Sequence, residues 1–444
     1  MAKTNEPLII NAPRQGIAPS PHLGFGDMRN LDIFSVPGVA KLNNILEKKS
    51  GTTVTAQIKW IVKNPASPAK LYAIDSNGVV YASSDSGATW SSLSDRDGSG
   101  QGLLVWKDYL IVAKDTALDV YGPLSGSPSW TADWQTIDSD ADWHPMIHSK
   151  LDGKVYGGAG RYVFTIEEKS GQNFDPSDSN TYTFTQQALD LPEDYRIKCL
   201  AEQGNNLMIG TWMGSNVYDN KVADIFPWDG SSATYGNPII LNENGVNAMI
   251  NIGGYLYIAA GVDGKIYKSN GAQAWPIAQI PLSIADISGG KYVEVYPAAL
   301  MNFKGRLFFG LSSADVGGCG IYSLIETSAG TILNFEHSIS TGGMGGTNPL
   351  VIGALLPITR DQFVVGWRDN TTYGIDLLNK SSFAYATDYS GYFESPFYQV
   401  GSYLNKRKFN AMEFYLAKEL GTGEGIKIKY RINLTKNWIT LKAY

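Results

Sequence analysis

Two stretches, Leu71-Tyr-Ala-Ile-Asp-Ser-Asn-Gly-Val-Val-Tyr81 and Leu256-Tyr-Ile-Ala-Ala-Gly-Val-Asp-Gly-Lys-Ile-Tyr267, follow one pattern. Each opens on an apolar strand, turns at a Gly and closes on a strand ending in Tyr. Each then reaches a second Gly (Gly87, Gly271) and a Trp (Trp90, Trp275). The unit reads strand, turn, strand, Gly turn, Trp. A repeated unit decides the fold before any single residue does, because units that recur must stack on one another.

Weaker copies extend the pattern along the chain. Second strands read at 71–74, 109–113, 155–158, 207–210, 256–259, 307–310 and 363–366. An apolar first strand precedes each, at 58–62, 102–106, 145–148, 197–201, 246–250, 298–302 and 350–355. Third strands follow at 79–82, 117–121, 162–166, 265–269, 320–324 and 372–376. Six intervals from Leu71 to Phe363 cover 292 residues, about 49 per unit. Four short strands per unit at that period predict a β-propeller. Seven blades fit best. Six or eight stay open, because the unit around Trp212 to Leu241 is irregular.

Composition agrees with an all-β body. The 444 residues include 48 Gly, 25 Tyr, 16 Phe and 11 Trp, with 18% charged residues. The average soluble protein has roughly 25% charge. So many aromatics exclude a disordered chain, and two Cys exclude a disulfide scaffold. No apolar run approaches the ~18 residues of a membrane-spanning helix. The opening Met-Ala-Lys-Thr-Asn-Glu-Pro lacks an apolar core, so no signal peptide is expected. A net charge of −6 without a Lys/Arg block argues against specific nucleic-acid recognition. Small residues are expected on the flat strands nearest the propeller axis.

One motif is sharp. Ser83-Ser84-Asp85-Ser86-Gly87-Ala88-Thr89-Trp90 fits S-x-D-x-G-x-T-W at every fixed position. It resembles the Asp-box of BNR-repeat propellers, found in sialidases, sortilin-like receptors and many secreted or viral proteins. Asp85 is expected to accept hydrogen bonds from turn N–H groups. Gly87 supplies a positive φ, and Trp90 packs beneath the turn. The resemblance implies a structural role for Ser83, Asp85, Gly87, Thr89 and Trp90.

The ends break the repeat. Pro13, Pro19, Pro21 and Pro37 oppose a helix in the first 51 residues, which read as an extended arm lying on its own propeller or on a neighbour. Residues 40–48 read as a short helix or, preferably, as the strand that closes the ring. Beyond residue 392 a β module is expected. Ile426-Lys-Ile-Lys-Tyr-Arg-Ile432 alternates apolar and basic residues as a half-buried strand does. Met412, Phe414 and Leu416 alternate upstream, with Gly421-Thr-Gly423 as the hairpin turn, and 438–441 as a possible third strand.

The order of arm, propeller and hairpin module resembles structural proteins of tailed-phage tails, above all the propeller nozzle or tail-tube proteins of short-tailed phages. Asn30-Leu-Asp-Ile33, Pro37-Gly38, Lys408-Phe409, Glu413-Phe414 and Ile428-Lys-Tyr-Arg431 carry the resemblance. It implies a ring of copies, contacts with portal, adaptor or fibre proteins, and a place in the virion after synthesis in the host cytoplasm.

Enzyme patterns are poor by comparison. The sialidase arginine motif F/Y-R-I-P has its nearest match at Tyr195-Arg196-Ile197-Lys198, with Lys in place of Pro and downstream of the box. A glycosidase needs two carboxylates across a cleft. Asp138, Asp140 and Asp142 beside Trp143 read instead as a solvated loop. Asp95, Asp97 and Gly98 form a calcium-loop fragment without its downstream Glu, and Asp175 with Asp178 is similar. Among His22, His144, His148 and His337, the middle two would lie about 13 Å apart along a strand, too far for one metal. Cys199 and Cys319 read as buried apolar residues. Gly342-Gly-Met-Gly-Gly346 lacks the Lys-Ser/Thr of a phosphate loop.

The expectation is therefore an arm at 1–51, a propeller at 52–392 and a β module at 393–444. Neither catalytic residues nor a cofactor or metal is expected. The function expected is a structural one in a phage-like virion tail. A glycan- or protein-binding propeller used in host attachment is the alternative, and a sialidase-like hydrolase comes third.

Overall fold

The computed structural model describes residues 27–35, 40–96, 98, 100–138, 143–213, 223–280, 292–314, 316–327, 330–346, 348–380, 391–394, 425–430 and 439–443. Every regular element among them is a β-strand. Four strands come before the repeat: β1 (Asp27–Arg29), β2 (Leu31–Asp32), β3 (Lys41–Leu42) and β4 (Leu46–Lys48).

Five antiparallel four-stranded sheets follow, and a ten-stranded sheet holds two further four-stranded units together with β1 and Tyr392–Glu394. Blades 1 to 7 span residues 58–95, 102–136, 146–190, 195–241, 246–279, 294–337 and 350–378, the last completed by β4. The first strand of each blade contacts the first strand of the next, and that of blade 7 contacts that of blade 1. The closed circuit is a β-propeller with the first strands innermost.

Closure is covalently cheap and physically direct. Strand β4 pairs antiparallel with the third strand of blade 7, Leu46 opposite Leu378 and Lys48 opposite Asp376. A blade built from both sides of the repeat locks the ring without a disulfide. Of the expected residues 40–48, Leu46–Lys48 supplies the closing strand while Lys41–Leu42 pairs with β2, and the helix alternative is set aside.

The core lies between blades. Separate apolar clusters fill the seams between blades 1 and 2, 2 and 3, 3 and 4, 4 and 5, and 7 and 1. A larger one joins blades 5, 6 and 7 to the arm. A single twisted sheet cannot bury two apolar faces, so each blade uses its neighbour as the missing layer. At ~25 cal/mol per Å² of apolar area, these seams dominate the stability.

The small residues sit differently from expectation. Gly102 and Gly353 do lie on first strands, but the recurring position is the second strand. A Cβ at Gly158, Gly210, Gly310 or Gly366 would come within 2.5, 2.6, 2.2 and 2.5 Å of another side chain. The neighbouring blade contributes Ile197, Val246, Ile352 and Ile58 to these contacts. The missing side chain on one blade makes room for a β-branched side chain on the next. Seam spacing, rather than crowding at the axis, selects Gly there.

Blade 6 carries additional strands. Strand β1 pairs with the outer strand of blade 6 in parallel, Arg29 opposite Phe335, and Tyr392–Glu394 pairs antiparallel with β1. Asn30 fixes the register: its N–H donates to the Phe335 carbonyl, and its Oδ1 accepts from Ser338 N. Of the two alternatives for the arm, residues 29–34 lie on the chain's own propeller. The outer strand Gly330–His337 is consequently buried from Ile332 to His337, whereas the outer strands of blades 1, 2 and 3 are largely exposed.

Near the C-terminus, Lys427–Tyr430 pairs with Ile439–Ala443. Lys427 and Lys429 are exposed and Ile428 is half-buried, the alternation that the sequence predicts. The expected strand through Met412, Phe414 and Leu416 and its Gly421–Gly423 turn lie outside the described residues.

Candidate functional site

The first strands share a local irregularity. The pairing register slips between Ile58 and Trp60, Ile197 and Cys199, Val246 and Ala248, Val295 and Leu300, and Ile352 and Ala354. A β-bulge leaves one residue unpaired and re-aims its side chain. The residues so placed include Lys59, Lys198, Asn247 and Tyr296, all near the start of the innermost strands, here called the upper face.

These side chains meet one another and Trp143, which lies just before blade 3. The Lys198 ammonium donates to Asn247 Oδ1 at 2.9 Å and reaches Glu294 Oε2 at 3.3 Å. Asn247 is held by its own amide, which donates to Gly261 O at 2.6 Å. The Trp143 ring stands edge-on to Tyr296 at 5.3 Å, and the Lys59 ammonium lies 4.7 Å from the Trp143 centroid. Gln57 and Glu294 hydrogen-bond to Tyr296. Burial pushes the Tyr296 phenol well above its usual range, with the Glu294 charge adding to it. Trp143 lies between blades 2 and 3 and Tyr296 belongs to blade 6, so their contact reaches across the axis.

The segment carrying Trp143 is anchored from behind. His144 is fully buried, with Nδ1 3.0 Å from the Gly158 carbonyl and Nε2 3.4 Å from that of Asp115. Burial lowers its pKa, so the ring serves as a neutral strut. The resulting cluster offers two ammonium groups, a carboxylate, an amide and two aromatic rings. It can hydrogen-bond and stack against a ligand.

The Ser83–Trp90 turn has a tight internal network. Asp85 Oδ1 accepts from Thr89 N at 2.9 Å and from Ser83 Oγ at 2.8 Å, and Oδ2 accepts from Thr89 Oγ1 at 2.6 Å. Gly87 N donates to Ser83 Oγ at 2.9 Å. Gly87 has φ +84°, and a Cβ on it would come within 2.8 Å of Val364 on blade 7. Trp90 is 7% exposed and donates to Gly87 O at 3.2 Å. These bonds hold Asp85 below the usual carboxylate range, against the desolvation that opposes them. The equivalent turn of blade 5 substitutes Asn270, whose Oδ1 accepts from Ala272 N and Gln273 N.

The remaining sequence candidates disperse. Arg196 donates to the carbonyls of Glu193 and Tyr195. Arg96, Arg161 and Arg306 each pair with a nearby carboxylate: Asp119, Asp190 and Glu336. Asp97, Asp140, Asp142 and His22 lie outside the described residues. Asp175 and Asp178 cap adjacent turns of one loop through Ser177 and Asn180. His337 is 4% exposed and His148 is exposed. Cys199 and Cys319 are buried free thiols, each pushed up to about 12 by desolvation. Among the described residues, no group of three or more His, Cys, Asp or Glu could hold a metal ion, and no helix could cross a membrane.

Sequence reasoning missed the axial cluster. Its signal is a β-branched residue, one variable residue, then an apolar or small one: Ile58-Lys-Trp, Ile197-Lys-Cys, Val246-Asn-Ala, Ile352-Gly-Ala. Only the pairing register shows that the middle residue is a bulge.

No family model matches the chain, and no curated protein matches it. Several solved structures are similar. The extracellular domain of a putative hybrid two-component system, BT4673 from B. thetaiotaomicron, has TM-score 0.49 and 14% identity over 76% of this chain. This chain spans 40% of that one. YCF48 bound to D1 peptide has TM-score 0.49 and 14% identity, covering 79% of this chain and 98% of that one. The RRP9 WD40 repeats have TM-score 0.46 and 11% identity, covering 75% and 99%.

Proposed function

We propose that this chain is a non-enzymatic structural subunit of a phage-like virion tail, a nozzle, tail-tube or connector component. It assembles in a ring with copies of itself and contacts other virion proteins such as portal, adaptor or fibre. It is made in the host cytoplasm and resides in the virion. In this reading the Ser83–Trp90 turn is an Asp-box with a structural role.

The observation that carries the reading is the use of both flanks of the propeller as added strands. Strand β1 and Tyr392–Glu394 extend blade 6 at its outer edge. A strand at a sheet edge exposes unpaired N–H and C=O groups that can template pairing with another chain. The sequence resemblance supplies the biological setting.

Electron microscopy and mass photometry of the purified full chain test this, together with proteomics of virions. Ring or tube particles, and presence in virions, are expected. A strictly monomeric chain at micromolar concentration, absent from virions, refutes the proposal.

A second reading is favoured by the axial cluster: the upper face binds a glycan or protein at the host surface. Glycan-array binding by the monomer, abolished by Trp143→Ala in a folded variant, would put this reading first.

A further inference from the structure

A cleft of about 300 Å³ opens where the arm crosses blades 6 and 7. Its floor includes Arg306, 7% exposed, in the second strand of blade 6. The guanidinium is clamped between two rings, its carbon 4.4 Å from the Phe34 centroid and 5.0 Å from that of Phe308. Nη1 donates to Glu336 Oε1 and to Ser323 Oγ. Among the described residues the hydrogen bonds of Arg306 all leave from Nη1, which leaves the Nε–Nη2 edge for a second acceptor. A planar fork held rigid between rings is pre-organised for one.

The carboxylates nearby are already committed. Glu336 also accepts from Ser323 Oγ and from the Asn43 amide. Asp32 lies within electrostatic reach of Arg306, but it accepts from Phe34 N, Ser35 N and Ser35 Oγ to cap a turn of the arm. The cleft is lined by Lys41, Lys304, Arg306 and Lys380 against Asp32, Glu336 and Asp361. Burial keeps His337 neutral at pH 7, and Lys304 and Lys380 add positive charge beside Arg306.

We propose that this cleft binds a small organic monoanion through its carboxylate, a molecule of roughly monosaccharide size. The Nε–Nη2 edge of Arg306 grips the carboxylate side-on, and Lys304 and Lys380 supply the surrounding field. The site lies at the arm junction, apart from the axial cluster, and does not depend on the virion reading.

Titration calorimetry on the full chain tests it. The probes are glucuronate and N-acetylglycine, with glucose as neutral control and inorganic phosphate as a control for an oxyanion that is not a carboxylate. At least one acid should bind, and glucose should not. Arg306→Lys keeps the charge and loses the fork, and should weaken binding about tenfold, a typical cost of losing a bidentate contact. Lys380 is exposed, and Lys380→Gln should weaken binding a few-fold, with rising salt mimicking it. Retained melting cooperativity separates loss of the site from loss of the fold. Glucuronate alone binding identifies an acidic sugar, and N-acetylglycine alone an acylated amino acid or peptide end. No heat with either acid at millimolar concentration overturns the proposal. So does equal binding of phosphate or glucose, or unchanged binding in both variants.

Discussion

Gly366→Ala tests how the ring closes. Gly366 lies in the second strand of blade 7. A Cβ there would sit 2.5 Å from Ile58 Cγ2 and 2.7 Å from Ile58 Cβ, across the seam with blade 1. Carbon atoms in good contact stand about 3.5–4.0 Å apart, so roughly an ångström must be found. Ile58 is fully buried and, being β-branched, is stiff at χ1. It cannot swing aside, and the two strands must part. Overpacking of this kind costs about 1–3 kcal/mol, occasionally more. Ile58→Ala alone should cost about 2–5 kcal/mol through the cavity it leaves. In the double variant the smaller residue at 58 relieves part of the clash. The two costs should therefore sum to more than the double variant shows, by about 1–2 kcal/mol. Urea unfolding followed by tryptophan fluorescence gives all three values. A Gly366→Ala variant within 0.5 kcal/mol of wild type, or additive single effects, refutes the seam argument.

Four further outcomes are expected. His337 is pushed down to about 4 by burial, so its contribution to stability is present above about pH 6.5 and is lost as pH falls towards 4; at full burial the swing is about 3 kcal/mol, and His337→Asn should flatten the pH–stability curve in that window. Asp376 is raised to about 6 by burial, despite bonds from Ser340 N and Oγ, so its effect has the opposite sign. Its contribution is greatest below about pH 4 and falls as pH rises through 6, and Asp376→Asn should shift the curve's maximum upward in pH. Asp85→Ala removes the acceptor for Thr89 and Ser83 and should cost about 1–2 kcal/mol in chemical denaturation without changing particle shape in micrographs. Glu294→Gln takes the charge partner from Lys198 inside a part-buried cluster and should cost about 1–3 kcal/mol by thermal denaturation, with added salt compensating little.

The recurring second strand was legible because it is buried on both faces and reads as a short apolar run ending in Gly or Ala. Leu207–Gly210, Leu307–Gly310 and Phe363–Gly366 all lie within observed second strands. The irregular fourth unit hid its third strand, Ala223–Trp228, because Pro227 interrupts an otherwise apolar run. The Ser83–Trp90 turn was legible because the side-chain hydrogen bonds of Ser83, Asp85 and Thr89 close within it. Lys59, Lys198, Asn247 and Tyr296 were not singled out, because a bulge is a mismatch between two strands and neither strand records it alone. Arg306 carries no signal in the sequence, because Phe34 and Glu336 meet it only in the fold.

The sequence by itself determined the strand content, the repeat and the Asp85 turn, each set by interactions between residues a few positions apart. Tertiary structure alone decided where the ring closes, since β4 and its partner Thr372–Leu378 lie more than 300 residues apart along the chain. It also decided which blade receives the arm and which side chains meet at the axis. Those outcomes depend on the register and spacing of seven stacked sheets, in which a glycine on one blade has meaning only through the isoleucine that faces it on the next.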